Sequence, residues 1–284
     1  MEDFMNRHLI LHKEIEKFRR HLQEEEKSEN TVEKYIRDVS AFVRQCPEHI
    51  TKETVIAYKQ TLTESGYAVR SINSMLASLN SFFTFIGRDD LRVKALKVQQ
   101  QAFCSEEKEL SKAEYERLCR TAERRKNKRL SLILQTICGT GIRVGELQYV
   151  TVEAVRKGKA TVSLKGKTRS IFIVRELQKK LLRYCSEQRI TSGAVFVTRS
   201  GKPLGRTNIW REMKSLCAEA NVDSEKVFPH NLRHLFARIF YEIEKDISKL
   251  ADILGHSSID TTRIYIISTG TEHRKRMEQM RLII

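Results

Sequence analysis

Apolar residues recur at every third or fourth position through most of the first hundred residues, which is the spacing of amphipathic helices. Four such segments follow one another, at residues 11–22, 32–43, 55–62 and 72–86. Residues that can cap a helix start stand before the last three, namely Asn30 or Thr31, Thr51 and Ser71. Gly66 and Gly87 stand where the third and fourth would end. No alternating strand pattern interrupts these segments, so the pattern predicts a compact bundle of four helices.

The helical spacing is lost over residues 88–108, where polar residues predominate and no helix cap is present. It returns at Ser111 and Glu114, which have the spacing of a capping box at the start of a helix. We therefore predict a first domain over residues 1–102, a linker over 103–110, and a second domain with a C-terminal tail over 111–284.

The second domain combines helical and strand patterns. Helices are predicted near residues 112–124, 128–138, 175–189, 206–220, 230–244 and 246–254, with Gly255 as a C-terminal cap. The sequence Gly139-Thr140-Gly141 is predicted to break the chain before a short helix that carries Arg143 and Glu146. Residues 160–164 and 170–174 predict a two-stranded hairpin with its turn at 165–168. The predicted fold class is mainly α with a small β-sheet in the second domain.

The charge of the chain is large and unevenly distributed. The formal net charge is +16, which indicates a polyanionic partner, with nucleic acid as the first candidate. Residues 1–103 hold 16 Lys and Arg against 15 Asp and Glu, whereas residues 104–284 hold 36 against 21. The second domain is therefore predicted to contact most of the phosphate. Charge alone does not separate an enzyme from an architectural binder.

Cysteine usage and hydropathy point to the cytoplasm. The six cysteines lie far apart and form no CxxC pair, which is typical of reduced thiols. No run of about 18 apolar residues is present, so no membrane contact is predicted.

The second domain also carries the residue types that DNA strand exchange without a metal would need. Such a reaction needs arginines around the phosphate, a nucleophile, and a proton donor for the leaving oxygen. His230 and Arg233 are three residues apart on one helical face, His256 follows Gly255, and Tyr265 comes nine residues after His256. Arg143 and Lys165 precede them in the chain. Each of these residues alone would more often be an ordinary packing or surface residue, and only the ordered set favours catalysis.

The set resembles the tyrosine site-specific recombinases, the phage-integrase and Xer-like family. The resemblance rests on TGIRVGEL, SLKGKTR, HNLRHLFA and LGHSSIDTTRIY in that order, with about 32 residues between Arg233 and Tyr265. In the first domain, SENTVEKYIRDVSAF and VRSINSMLASLNSFFTFI resemble the family's core-binding domain. The resemblance covers nearly the whole chain. It implies a four-helix core-binding (SAM-like) DNA clamp followed by a tyrosine-recombinase catalytic domain.

The resemblance also implies catalytic roles. Tyr265 would be the nucleophile, leaving a 3′-phosphotyrosyl link and a free 5′-hydroxyl. Arg143 and Arg233 would clamp the scissile phosphate, and His256 would donate a further hydrogen bond to it. His230 would bond the phosphate or help to take the proton from Tyr265.

Three further residues have supporting or proton-donating roles by the same resemblance. Lys165 would protonate the departing 5′-oxygen, with Lys167 as a rival because both flank Gly166. Glu146 would be the supporting carboxylate, and His234 would stand behind the residues that touch the phosphate.

The partners implied are double-stranded DNA and further copies of the chain, in a tetramer that joins two DNA sites through a Holliday junction. Accessory DNA-bending or directionality factors are also compatible with the family. No metal or other cofactor is expected, because the phosphotyrosine link conserves the bond energy. A protein that acts on chromosomal DNA in this way is expected in the cytoplasm, at the nucleoid. The target sequence, and the choice among integration, excision, inversion and chromosome-dimer resolution, stay open.

The residue set and the C-terminal tail each leave alternatives open. A type IB topoisomerase-like enzyme or a non-catalytic DNA-binding protein are alternatives, whereas a metal-dependent nuclease would need an acidic motif that we do not find. In Xer-type members a histidine commonly follows the tyrosine, and IISTGTEHRKR departs from that pattern, which argues against a housekeeping Xer role. The tail carries a partly apolar stripe that could pack on its own domain or on a neighbouring copy: Met277, Met280, Leu282, Ile283 and Ile284.

Overall fold

The computed structural model describes residues 2–45, 50–97, 109–164, 167–256, 258–265 and 277–280. The chain divides into two compact units, Met1–Gln100 and Gln101–Ile284. No helix in the described ranges has the length and apolar character needed to cross a membrane.

The first unit contains the four predicted helices. They are α1 (Glu2–Glu24), α2 (Glu29–Gln45), α3 (Lys52–Glu64) and α4 (Val69–Phe85). Their apolar faces meet in one core, in which Phe18 contacts Phe82 and Phe42 contacts Phe83 edge to face, at centroid distances of 5.3 and 5.8 Å. Edge-to-face pairs of this kind add to the stabilisation that burial alone provides.

Two of the three predicted helix starts are displaced. The capping box of α3 is confirmed at Thr51, whose hydroxyl accepts a hydrogen bond from the Thr54 amide. Helix α2 begins at Glu29, before Asn30 and Thr31, because the backbone carbonyl oxygen of Ser28 already accepts a hydrogen bond from the Thr31 amide at 2.7 Å. Helix α4 begins at Val69 rather than near Ser71, since extended backbone at Ala68 starts the helix without a side-chain cap.

The segment that follows α4 is ordered by two asparagines rather than by secondary structure. Asn73 and Asn80 lie two turns apart on α4 and each exchanges two hydrogen bonds with the backbone of that segment. Asn73 pairs with Leu96 at 2.7 and 2.8 Å, and Asn80 pairs with Val93 at 2.9 and 3.0 Å. Part of the stretch in which helical spacing is lost is therefore fixed to the bundle.

The second unit is mostly helical with one antiparallel hairpin, which confirms the predicted fold class. Its helices are α5 (Lys112–Arg124), α6 (Lys128–Thr140), α7 (Val152–Lys157), α8 (Arg175–Glu187), α9 (Arg206–Ser215), α10 (Cys217–Ala220), α11 (Pro229–Glu244), α12 (Ile247–Leu254) and α13 (Ile259–Arg263). Its strands are β1 (Lys159–Leu164) and β2 (Lys167–Phe172). The capping box of Ser111 and Glu114 is confirmed at the start of α5.

Several predicted boundaries in this unit are wrong. Helix α6 continues through Gly139 and ends only at Gly141, where the backbone turns left-handed with φ of 63°. Arg143 precedes the next helical turn, a 3-10 helix over Val144–Tyr149, instead of lying inside it. The helix predicted at 206–220 is divided at Leu216, and α7 had no prediction.

The hairpin register also differs from the prediction. Strand β2 begins at Lys167 and ends at Phe172, so it starts three residues earlier than expected and stops before Val174. Leu164 pairs with Lys167, and the hydroxyls of Ser163 and Thr168 lie 3.3 Å apart across the strands. Lys167 therefore belongs to a strand and not to the turn. Lys165 and Gly166 lie outside the described residues.

The end of the predicted linker belongs to the second unit. Leu110 is buried in the core of that unit, and Glu109 forms an ion pair with Arg238 of α11. The rest of the predicted linker lies outside the described residues. The burial of Leu110 was not predicted, because a single apolar residue within a polar sequence gives no periodic pattern.

Candidate active site

Helix α11 places three of the predicted residues on one face. Pro229 occupies the first turn of the helix, where a missing backbone donor has no cost, and His230, Arg233 and His234 follow at helical spacing. Arg233 is among the largest fully buried side chains of the chain. Its guanidinium donates to the carbonyl oxygen of Gly141 and, at 2.7 Å, to that of Leu254, so it joins the ends of α6 and α12.

His256 lies next to Arg233, at the C-terminal end of α12. Gly255 ends the helix in a left-handed conformation with φ of 65°, as predicted, and turns the chain toward α11. The Nε2 atom of His256 lies 3.0 Å from Arg233 Nη2, and its Nδ1 atom lies 2.9 Å from the Thr262 hydroxyl. Because arginine can only donate, Nε2 must accept and the ring proton of a neutral His256 resides on Nδ1.

Tyr265 is enclosed by the three histidines. Its hydroxyl lies 3.2 Å from His230 Nε2. Its ring centroid lies 5.4 Å from those of His230 and His256, and 4.9 Å from that of His234. The side chain is only 4% exposed and packs against Leu250 and Leu254. The fold therefore brings Tyr265 together with His230, Arg233 and His256 in one cluster.

Arg143 and Glu146 form a second part of the site, next to Gly255. The carboxylate of Glu146 accepts the Arg143 amide at 2.9 Å and the Arg143 guanidinium at 3.0 Å. Arg143 also donates to the Gly255 carbonyl at 3.3 Å. Glu146 is only 2% exposed, whereas the Arg143 side chain is 42% exposed and has donors left for a ligand. Glu146 is therefore a buried carboxylate held against Arg143, not a solvent-exposed residue of a helix surface.

Arg169, the second partner of Glu146, is not among the residues predicted from the sequence. Arg169 lies on β2, forms an ion pair with Glu146 and donates to the Ile253 carbonyl at 2.6 Å. Side chains alternate between the two faces of a strand, so Arg169 lies on the same face as the buried Ile171. This alternation was the one sequence pattern that could have indicated a buried Arg169. Thr262 was also missed; it is fully buried and bonds His256.

His234 connects the site to the beginning of the second unit. Its Nε2 atom lies 3.2 Å from the carbonyl oxygen of Ile264, the residue before Tyr265. Its Nδ1 atom lies 3.8 Å from the carboxylate of Glu109. His234 therefore connects the backbone next to Tyr265 to the carboxylate of Glu109.

The histidines of the site are neutral at pH 7. Burial, followed by the charges of Arg233 and Arg143, lowers the pKa of His256 to about 4. The same three causes in the same order lower the pKa of His230, and burial lowers the pKa of His234. Burial and the charge of Arg143 lower the pKa of Arg233 to about 10, so this arginine remains protonated at neutral pH.

The lowered histidine pKa values predict a loss of stability in mild acid. Because the pKa of His256 is about 4 in the folded chain against 6.5 unperturbed, the unfolded chain binds more protons between these values. The stabilisation is complete above pH 6.5 and declines as the pH falls toward 4. We expect the melting temperature of DNA-free protein to fall between pH 7 and pH 5, as measured by circular dichroism. His256→Asn should reduce that slope, and an unchanged slope would contradict the assignment.

Other basic candidates are occupied by glutamates or lie outside the described residues. In the run 124–129, Arg125 pairs with Glu219 and Arg129 with Glu212, and Lys128 bonds Glu187. These ion pairs connect the run to neighbouring helices. Arg124, Arg125, Lys126 and Lys128 are exposed, so the run forms a solvated turn between α5 and α6. Lys165 is not among the described residues, and no group of three or more metal-binding side chains occurs in the described ranges.

Comparison with known proteins identifies the family. The model of the phage integrase family matches residues 108–272, and that of the phage integrase N-terminal SAM-like domain matches residues 15–89. The chain is 30% identical over 278 residues to tyrosine recombinase XerA of Pyrococcus horikoshii, with 95% of this chain and 94% of that protein covered. It is 30% identical over 279 residues to tyrosine recombinase XerD of Halalkalibacterium halodurans, with 89% and 93% covered.

The fold agrees with this assignment. A lambda integrase tetramer bound to a Holliday junction has subunits of the same fold, with a TM-score of 0.72 at 19% identity, covering 90% of this chain and 76% of that chain. The two matched family models lie in the two compact units of the structure. The chain therefore belongs to the phage integrase family and is a tyrosine site-specific recombinase.

Proposed function

We propose that the chain recombines DNA by forming a covalent bond between the Tyr265 hydroxyl oxygen and a DNA 3′-phosphate. The observation that carries the proposal is the 3.2 Å contact between this hydroxyl and His230 Nε2, beside the buried Arg233. In the forward step an oxygen–phosphorus bond forms to Tyr265 and the bond from phosphorus to the 5′-oxygen breaks. The freed 5′-hydroxyl of a partner strand then attacks the phosphotyrosine and releases the enzyme.

Proton transfer follows from the charge states of the site. A phenol has an ordinary pKa near 10 and is only about 0.1% ionised at neutral pH, so a tyrosine nucleophile needs a base or a strongly positive pocket. His230 is neutral and its Nε2 lies within reach of the Tyr265 proton. We assign the proton that the departing 5′-oxygen takes up to Lys165, in preference to Lys167.

Arg143 and Arg233 are proposed to bind the non-bridging oxygens of the scissile phosphate. A fixed cation at these oxygens stabilises the charge of the transition state more than that of the ground state. Arg143 has exposed donors, whereas Arg233 must share its donors with the carbonyl oxygens of Gly141 and Leu254. An approaching phosphate also favours the protonated form of His256, which would then donate to the phosphate through Nε2.

Duplex DNA and further copies of the chain are the proposed partners. The surplus of Lys and Arg in residues 104–284 favours contact with the phosphate backbone. Lambda integrase, which has a similar fold, forms a tetramer bound to a Holliday junction, and this supports a similar assembly for this chain. Accessory factors and action at the nucleoid in the cytoplasm are further parts of the proposal.

Adduct mapping tests the function directly. The purified protein is incubated with genomic DNA of its source organism and denatured, and the DNA covalently attached to protein is sequenced. We expect adducts at one recurrent phosphate position, and recombination between two plasmid copies of that site. Relaxation of supercoiled plasmid without recombination would instead identify a topoisomerase, and absence of adducts would contradict the proposal.

Metal independence is a separate expectation. Because Arg143 and Arg233 are proposed to balance the charge of the phosphate without a metal ion, adduct formation should proceed in EDTA at the rate measured with Mg²⁺ at matched ionic strength. The measurement is a time course of adduct formation on a duplex nicked near the mapped site. A loss of adduct in EDTA that added Mg²⁺ restores would contradict the expectation.

A further inference from the structure

Three arginines bind three consecutive carbonyl oxygens at the C-terminal end of α12. Arg169 Nη1 donates to Ile253 at 2.6 Å, Arg233 Nη2 to Leu254 at 2.7 Å, and Arg143 Nη2 to Gly255 at 3.3 Å. The last carbonyls of a helix have no partner within the helix and carry the negative end of its dipole. This helix end is therefore held in place by three cations, two of which are proposed to bind the phosphate.

Arg169 differs from the other two in what remains available to a ligand. Its side chain is 12% exposed, and its two terminal nitrogens are taken by Ile253 and by Glu146. Its Nε atom is buried and has no hydrogen-bond partner among the described residues. Arg169 is thus placed to hold other groups and not to meet DNA.

The stem of Arg169 also fits closely against Gly255. A Cβ atom at Gly255 would lie 2.3 Å from Arg169 Cδ and 2.8 Å from its Nε. Arg169 therefore occupies the space that a side chain at Gly255 would need, directly before His256. The contact ties the position of His256 to β2.

We propose that Arg169 is a positioning residue that fixes the Glu146 carboxylate and the end of α12, and through them Arg143 and His256. The proposal rests on the proposed function of the site. Glu146 is buried and shared by Arg143 and Arg169, so without Arg169 the carboxylate would have Arg143 as its remaining described cationic partner. Arg143 would then be drawn toward Glu146 and away from the phosphate.

Arg169→Lys tests the proposal, because lysine keeps the charge but cannot hold Glu146 and the Ile253 carbonyl in one planar fork. Adduct formation is measured in single turnover on a nicked duplex carrying the mapped site, and affinity for the intact duplex is measured by gel shift. We expect the adduct rate to fall about 100-fold, as for small misplacements of reacting groups, with affinity changed by less than about threefold. Arg183→Lys, at a residue with an 83% exposed side chain, is the matched control and should leave both values unchanged.

A double-mutant cycle keeps the proposal testable apart from catalysis. Urea unfolding of Arg169→Lys, Glu146→Gln and the double variant should show non-additive stabilities, because the two side chains form one ion pair. A wild-type adduct rate in Arg169→Lys, an equal loss of affinity and rate, or additive stabilities would overturn the positioning role. A wild-type protein that forms no adduct would contradict the proposed function instead, and the cycle would still decide whether Arg169 holds Glu146.

Discussion

Replacing Tyr265 with phenylalanine is expected to abolish covalent attachment to DNA while leaving folding and DNA binding intact. Phenylalanine keeps the ring that packs against Leu250 and Leu254 and loses only the hydroxyl that lies 3.2 Å from His230. Since no other group can form the phosphotyrosyl bond, adduct formation should fall by at least about 10⁴-fold, as for other removed nucleophiles. The measurement is denaturing electrophoresis of the protein after incubation with a nicked duplex.

Tyr241→Phe is the matched control for this experiment. Tyr241 packs against the same apolar cluster as Tyr265, but its ring is covered by Lys245 on the surface. The control should form adducts at the wild-type rate. Persistence of the adduct in Tyr265→Phe would assign the nucleophile to another residue and remove the central claim of the proposed function.

Local signals in the sequence predicted most of the fold, because they act over a few residues. The capping residues Thr51 and Ser111 and the left-handed Gly255 are each recognised by the backbone within one turn of helix, and all three are confirmed. The family resemblance is also confirmed. Its motifs placed Arg233, His256 and Tyr265 in an order that the fold brings into one cluster.

The sequence did not predict partners that are distant in the chain. Arg169 contacts Ile253 across 84 residues, and Glu109 contacts Arg238 across 129. The residues next to Arg169 in the sequence do not predict such contacts. The one local indication is that Arg169 and Ile171 are two residues apart and therefore lie on the same face of the strand.

Strand register is a second limit of local inference. The residues from Lys165 to Thr168 combine glycine with lysines and are typical of a turn when considered alone. The pairing of Leu164 with Lys167 extends the strands into this sequence. Because register depends on the partner strand as well as on local preference, residue types alone could not decide where Lys167 lies.

Arg233→Lys is the second change with a large expected effect, and it should reduce both catalysis and stability. Lysine keeps the charge, but its single ammonium cannot reach the Gly141 carbonyl, the Leu254 carbonyl and His256 at once. The loss of one transition-state donor predicts a fall of about 10²–10³-fold in the adduct rate. A buried acceptor left without a donor costs about 1–3 kcal/mol of the free energy of unfolding.

Arg143→Lys separates the two consequences. Both arginines are proposed to bind the phosphate, but the Arg143 side chain is 42% exposed whereas Arg233 is fully buried. We therefore expect Arg143→Lys to lower the adduct rate by a similar factor with a much smaller loss of stability, measured by urea unfolding. If the two substitutions lowered the free energy of unfolding equally, the buried hydrogen bonds of Arg233 would not contribute the stability that we assign to them. An unchanged adduct rate in Arg233→Lys would show that this arginine joins α6 to α12 without acting on the phosphate.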